Sequence, residues 1–98
     1  MTLNNPSITF SKSHDVHSSE TESESILYDS RMESVHILNH TAYFIWQLCD
    51  GQHTLSDIEK IMRERFSVAK EYDLLGDIEQ ALKNLLSKGL LVDCESQD

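Results

Sequence analysis

Histidines and cysteines are the residues of this chain whose types could support metal binding or nucleophilic chemistry. His14 and His17 are separated by two residues, with Asp15 between them, and such a spacing can hold a metal ion when a rigid scaffold supports it. The surrounding stretch offers no second pair of histidines or cysteines and is rich in serine and glutamate. We therefore predict no metal site.

A catalytic centre is not predicted either. Cys49 with a histidine is the one conceivable pair of nucleophile and base, and Cys49 falls on the apolar side of a predicted helix. The three glycines, Gly51, Gly76 and Gly89, do not form a phosphate-binding loop. We expect the chain to be neither an enzyme nor the holder of a cofactor.

Composition bounds the size and the location of the protein. With 98 residues and 39% hydrophobic content, the chain should form one domain with one modest core. No apolar run approaches the roughly 20 residues of a membrane helix, and the N-terminus lacks the pattern of a secretory signal. The expected location is the cytoplasm, where Cys49 and Cys94 would be free thiols.

The charge of the chain excludes one class of partner. Acidic residues number 17 and basic residues 8, which gives a net charge of −9. Proteins bind the phosphates of nucleic acids through lysine and arginine, so this field repels DNA and RNA. We expect a partner of basic or mixed charge, and neither a nucleic acid nor a membrane.

Short alternating segments predict three strands. The first lies near residues 8–12, the second is Ser25–Asp29, and the third is Glu33–Leu38. The turn Ser30–Met32 is short, so the second and third strands should form an antiparallel hairpin. Between the first two strands, Ser11–Ser25 contains six serines, three glutamates and two histidines. This composition predicts a long mobile connection.

Three helices follow the predicted strands. Asn39 or Thr41 can cap the first helix, and Gly51 should end it. Thr54 and Asp57 resemble a capping box at the start of the second helix.

The third helix should run from about Leu74 to Lys88 and end at Gly89. The apolar segment Leu90–Val92 then forms a final strand or packs back on the core. The order predicts an α+β fold: a three-stranded antiparallel sheet followed by a three-helix winged helix-turn-helix.

The stretch Ser34–Gly51 and the helices after it resemble the PqqD-like family, the recognition elements for ribosomally made peptides. The resemblance covers residues 26–92, with residues 1–25 as a mostly mobile N-terminal segment and 93–98 as a disordered tail. The matching residues are Val35–Asn39, Ala42, Ile45, Trp46, Leu48, Asp50–Gly51, Leu55–Ile58, Arg65–Phe66, Asp77–Ile78, Leu85 and Gly89–Leu91.

The resemblance implies a non-catalytic domain that binds the leader segment of a precursor peptide. The leader lies as an added strand along the third strand, in the cleft beside the third helix. The domain then delivers the peptide to a modifying enzyme, such as a leader peptidase, a cyclase or a radical enzyme.

Strand physics supports the same site, because an edge strand carries free N–H and C=O groups that an extended peptide can satisfy. The third helix should face this edge with residues at helical spacing. The predicted peptide-binding residues are Glu33, Ser34, Val35, His36, Ile37, Asp77, Gln80, Ala81, Asn84 and Lys88. The same free edge could instead pair with a second copy of the chain in a homodimer.

A winged helix-turn-helix transcription regulator, acting through DNA or protein contacts, is the alternative function. A reading helix needs cations near its N-terminal half, whereas the third helix begins near Asp73 and Asp77. The basic residues Lys60, Arg63 and Arg65 belong to the second helix and alternate with glutamates. This pattern favours a solvated, paired helix face over a DNA-binding one.

Overall fold

The computed structural model describes residues 8–94, which form six strands and three helices. The strands are β1 (Thr9–Lys12), β2 (Val16–Glu20), β3 (Ser25–Asp29), β4 (Ser34–Leu38), β5 (Asp50–Thr54) and β6 (Leu91–Cys94). The helices are α1 (His40–Leu48), α2 (Leu55–Phe66) and α3 (Leu74–Ser87). The predicted α+β class is confirmed.

The strands form two three-stranded antiparallel sheets, with the orders β2-β3-β4 and β5-β1-β6. The predicted hairpin is confirmed, since β3 pairs with β4 from Ser25 opposite Leu38 to Asp29 opposite Ser34. The prediction that the first strand joins this hairpin in one sheet is wrong. Ile8 and Phe10 are buried in the core, and β1 lies between β5 and β6 instead.

The prediction of a mobile connection over Ser11–Ser25 is wrong for β2. This strand pairs with β3 over five residues, from Val16 opposite Asp29 to Glu20 opposite Ser25. Its stability comes from backbone hydrogen bonds and from Val16 against the core, because its other residues are exposed.

The ends of the chain differ from the predicted segments in one respect. Asp93 and Cys94, assigned to a disordered tail, belong to β6, which pairs with β1. The rest of the predicted tail, 95–98, and residues 1–7 of the predicted mobile segment lie outside the described residues.

The caps of the helices follow the sequence signals. Asn39 is the N-cap of α1, and its Oδ1 accepts a hydrogen bond from the backbone N–H of Ala42 at 2.7 Å. Thr54 and Asp57 form the predicted capping box, with distances of 3.2 and 3.0 Å. Gly89 has a positive φ of 76° directly after α3.

The end of α1 differs from the prediction, because Gly51 lies inside β5. Its φ is 82°, and an added Cβ would stand 2.8 Å from the Oγ of Ser11. A glycine is therefore required where β5 approaches β1. Lys12 of β1 completes the junction, since its Nζ donates to the carbonyls of Gln47 and Cys49 at 3.0 and 3.2 Å.

The core fills the space between the helices and the two sheets. Phe10, Ile78 and Leu82 are fully buried. Trp46 is buried as well, and its indole N–H donates to the carbonyl of Leu90 at 3.2 Å, which ties α1 to the start of β6. No helix within residues 8–94 combines the length and apolar character needed to cross a bilayer.

An ion pair between the buried carboxylate of Asp29 and the partly exposed guanidinium of Arg31 connects the hairpin of β3 and β4 to the end of α3. The side chain of Asp29 is 1% exposed and accepts hydrogen bonds from the backbone N–H, Nε and Nη2 of Arg31 at 3.0, 3.2 and 3.1 Å. The Nη2 of Arg31 also donates to the carbonyl of Gly89 at 3.1 Å. The bonds from Arg31 lower the pKa of Asp29 below its ordinary value.

We expect the substitution Asp29→Asn to lower the melting temperature by several degrees at neutral pH, with the difference shrinking in acid. A carboxyl whose pKa is lowered in the folded state stabilises the fold above its unfolded pKa, and this contribution disappears as the pH falls through the folded pKa. Thermal unfolding of both proteins at about pH 7 and about pH 3 measures the effect.

Asp50→Asn is the matched control. Asp50 also has a lowered pKa, through its hydrogen bond with His53, but this pair is at the surface and should contribute little. A melting-temperature difference for Asp29→Asn that stays constant from neutral to acidic pH would contradict the assigned role of the pair.

Candidate functional site

The strand β4 is an edge of its sheet. Within the described part of the chain it pairs with β3 alone, so its other side presents N–H and C=O groups without strand partners. Val35 and Ile37 are 60% and 63% exposed and lie on one side of the strand. Ser34 and His36 are half-buried on the opposite side and contact each other at 3.1 Å.

A cleft lies beside this edge, between the end of β4, the first turns of α1 and one face of α3. Its volume is about 430 Å³. We call it the β4–α3 cleft. Its lining residues are Ile37, Leu38, Asn39, Thr41, Ala42, Ile45, Asp77, Gln80, Ala81, Asn84, Leu85 and Lys88.

The β4–α3 cleft has an apolar floor and a polar rim. Leu38, Ile45 and Leu85 are buried and form the floor. The exposed residues of α3 form the rim on one side, and the small side chain of Ala81 leaves space between them. Such a cleft can hold an apolar side chain of a bound molecule on its floor while the polar rim contacts the backbone of that molecule.

The α3 side of the cleft carries a negative charge at one end and a positive charge at the other. Asp77 lies in the first turn of α3 and Lys88 is its C-cap, so each charge complements the helix dipole at its end. The separation of eleven residue positions between them corresponds to roughly 16 Å of helix. An extended chain of about five residues has the same length.

The carboxylate of Asp77 also accepts a hydrogen bond from a side chain of the same protein. The hydroxyl of Tyr72 donates to Oδ2 of Asp77, and this bond raises the pKa of Tyr72. Tyr72 is 52% exposed, so the pair stands in solvent at the Asp77 end of the cleft.

The structure brings most of the residues predicted from sequence into one place. Glu33 does not line the cleft and precedes β4 in an exposed turn, with a positive φ of 52°. Ser34, Val35 and His36 lie on β4 without lining the cleft. The predicted residues that line it are Ile37, Asp77, Gln80, Ala81, Asn84 and Lys88.

The sequence prediction missed the contribution of α1. Asn39, Thr41, Ala42 and Ile45 line the cleft together with α3. One signal was present: a single residue separates β4 from α1, so the first turn of this helix has to lie at the end of the strand.

A second depression, of about 830 Å³, lies over β5 and α2. Its walls are polar, with Ile61 as the one apolar residue of its lining. Two of its carboxylates are engaged, Asp50 with His53 at 2.9 Å and Asp57 in the cap of α2. Within residues 8–94, no group of three or more histidine, cysteine or acidic side chains is placed to hold a metal ion.

Cys49 does not have the chemistry of a nucleophile. It is fully buried, its thiol donates to the carbonyl of Ile45 at 3.2 Å, and burial raises its pKa to about 12. A thiol has to ionise to attack, so Cys49 stays inert near neutral pH. Its predicted role as a small buried side chain is confirmed.

The fold and the cleft define a small α+β domain that presents one free strand edge beside a helix. The family model described as coenzyme PQQ synthesis protein D (PqqD) matches residues 24–91, more than two thirds of the chain. The chain belongs to the PqqD family.

A solved structure shares the fold. It is described as a lasso peptide synthetase B1 complexed with the leader peptide, and it superposes with a TM-score of 0.72. The two chains are 23% identical, and the match covers 85% of this chain and 96% of the other. A comparison with curated proteins finds no match.

Proposed function

We propose that this protein binds the leader segment of a ribosomally synthesised precursor peptide and delivers the peptide to a modifying enzyme. The leader lies along β4 as an added strand, with its side chains directed into the β4–α3 cleft. The protein contributes binding and positioning, and the chemistry belongs to the modifying enzyme.

The comparisons support this proposal at the level of the family. The chain is a member of the PqqD family, and the lasso peptide synthetase B1 that shares its fold is described in complex with a leader peptide.

The observation that carries the proposal is the free edge of β4 beside an apolar cleft. An added strand forms backbone hydrogen bonds with little demand on sequence, and the cleft supplies selection through side chains. The length of the cleft suits about five extended residues. An affinity near one micromolar, about −8 kcal/mol, would allow both capture and release.

Several finer features belong to the same proposal. Residues 26–92 act as the peptide-recognition domain, and the three helices with β6 follow a winged helix-turn-helix arrangement. The modifying enzyme is a leader peptidase, a cyclase or a radical enzyme, and the complex works in the cytoplasm. The leader contacts the backbone of Ser34–Ile37 and the side chains of Asp77, Gln80, Ala81, Asn84 and Lys88.

The alternative of a transcription regulator receives no support from the comparisons. The contacts of α2 also disfavour it, because Arg63 is engaged by Glu59 at 3.0 Å and by the carbonyls of Ala69 and Tyr72. Arg65 stacks near the ring of Phe66 at 5.7 Å. Arginines held in this way are poorly placed to displace counterions from a phosphate backbone.

The direct test is a titration of labelled protein with a synthetic leader peptide, taken from a precursor reading frame beside the gene. We expect the amide signals of β4 and of the cleft-facing side of α3 to shift, because these backbones meet the peptide. If the shifted signals are confined to α2 and β5, around the second depression, the leader binds at that depression and the proposed site is wrong.

Proline at the edge tests strand addition. Val35→Pro or Ile37→Pro removes a backbone donor and places a ring at the edge, so we expect leader affinity to fall by about tenfold or more. Titration of a fluorescent leader by anisotropy measures the change.

Ser18→Pro is the matched control, because β2 is the other edge of the same sheet and lies outside the cleft lining. It should leave leader affinity within about twofold of the parent. If Ser18→Pro abolishes binding while folded Val35→Pro retains it, the leader pairs with β2 and our placement is wrong.

Filling the cleft tests the role of its open space. Ala81→Leu adds volume between the rim residues, so we expect leader affinity to drop about tenfold while the fold persists. Lys83→Leu adds the same side chain at an exposed position of α3 outside the cleft lining, and it serves as the control. Equal loss of affinity in both variants would show that the cleft itself is not used.

A further inference from the structure

The sheet β2-β3-β4 has a second side, and Ile37 is its one residue that also lines the proposed leader cleft. We call it the outer face. Cross-strand pairing places Tyr28 opposite Val35 and Ile26 opposite Ile37 on this side. The residues of the outer face are His17, Ser19, Ile26, Tyr28, Val35 and Ile37.

The four residues of the outer face on β3 and β4 are apolar, and three of them are exposed. Tyr28, Val35 and Ile37 are 40%, 60% and 63% exposed. The six residues of the face include no aspartate, glutamate, lysine or arginine, although these four types make up 26% of the chain. An exposed patch of aromatic and branched side chains without charge is typical of an interaction surface.

The face alone is too small for a stable complex. Three strands about 4.8 Å apart and five residues long span roughly 250 Å². A specific interface covers about 800 Å² on each partner. The occupant has to extend past the sheet, onto its rim and onto any strand added at β4.

The rim of the sheet is acidic. The turn between β2 and β3 carries exposed Glu22 and Glu24 next to Glu20, and exposed Glu33 lies in the turn at the opposite end. A partner with lysines and arginines around an apolar centre is complementary to this arrangement. A second copy would bring two such rims together, on chains that each carry a net charge of −9, and is therefore disfavoured.

The outer face is continuous with the proposed leader site. A strand added at β4 would direct alternate side chains to each side of the sheet, so the leader would widen the outer face by one strand. A protein bound there would touch the domain and the leader together.

We infer that the outer face docks the modifying enzyme, through an enzyme surface with an apolar centre and a basic rim. This inference rests on the proposed function for the identity of the occupant. It assigns the two sides of one hairpin to two tasks: the edge of β4 and its cleft hold the peptide, and the outer face holds the enzyme.

The test uses the double variant Ile26→Thr and Tyr28→Thr. Both residues lie on the central strand β3, neither lines the cleft, and threonine keeps the strand propensity. Val92→Thr is the control, because Val92 is 48% exposed on the other sheet. The probes are the fluorescent leader and the purified modifying enzyme from the neighbouring reading frames.

For the double variant we expect enzyme affinity to fall by about tenfold or more and leader affinity to stay within about twofold. For the parent, saturating leader should tighten enzyme binding. The control should match the parent in both measurements, and thermal unfolding verifies that the variants fold.

Three outcomes would overturn the inference. In the first, the double variant binds the enzyme as tightly as the parent does. In the second, the double variant loses leader affinity and enzyme affinity to the same extent. In the third, sedimentation shows that the parent is a dimer and that the double variant is a monomer. If the parent fails to bind leader while its enzyme affinity still depends on Ile26 and Tyr28, the proposed function fails and the docking surface stands.

Discussion

The pairing of Asp29 with Arg31 is the interaction on which the geometry of the site depends. A buried carboxylate requires a partner, and Arg31 supplies three of the hydrogen bonds to Asp29 while also reaching the carbonyl of Gly89. One guanidinium therefore joins the hairpin that carries β4 to the end of α3. Two of the walls of the β4–α3 cleft belong to these two elements and α1 supplies the third, so the ion pair ties two of the three walls together.

The second sheet depends on contacts that are distant in sequence. β1 pairs with β5 and with β6, which lies at the far end of the described chain. Lys12 reaches the last carbonyls of α1 from the same strand. The N-terminal strand thus joins β5, β6 and the end of α1, and Phe10 of this strand and the preceding Ile8 are part of the common core.

Local signals predicted the helices, the capping box and the hairpin of β3 and β4 from the sequence. These elements have strong periodicity or short-range caps, and neither depends on distant partners. β2 and β5 were missed because VHSSE and DGQHT contain almost no apolar residues. Both strands are stabilised by backbone hydrogen bonds to a neighbouring strand. The pattern of side chains in the sequence does not reveal such bonds.

The face of α3 could be predicted from helical spacing, and five of its residues line the cleft as one surface. The one-residue connection from β4 indicates only that the first turn of α1 lies near the end of the strand, and the approach of α1 to α3 is a tertiary contact that helical spacing does not reveal. The predicted third strand begins one residue early for a local reason: Glu33 has a left-handed backbone in the turn directly before β4.

The two borders of the sheet β2-β3-β4 differ in character. β2 presents Ser18, Ser19 and Glu20, whereas β4 presents Val35 and Ile37. A polar edge strand with a carboxylate disfavours pairing with further strands, and an apolar edge strand favours it. A guest strand on β4 would cover that edge and become the new outer strand on its side of the sheet. The residues of the guest, and no longer Val35 and Ile37, would then decide how readily a loaded molecule pairs with further strands.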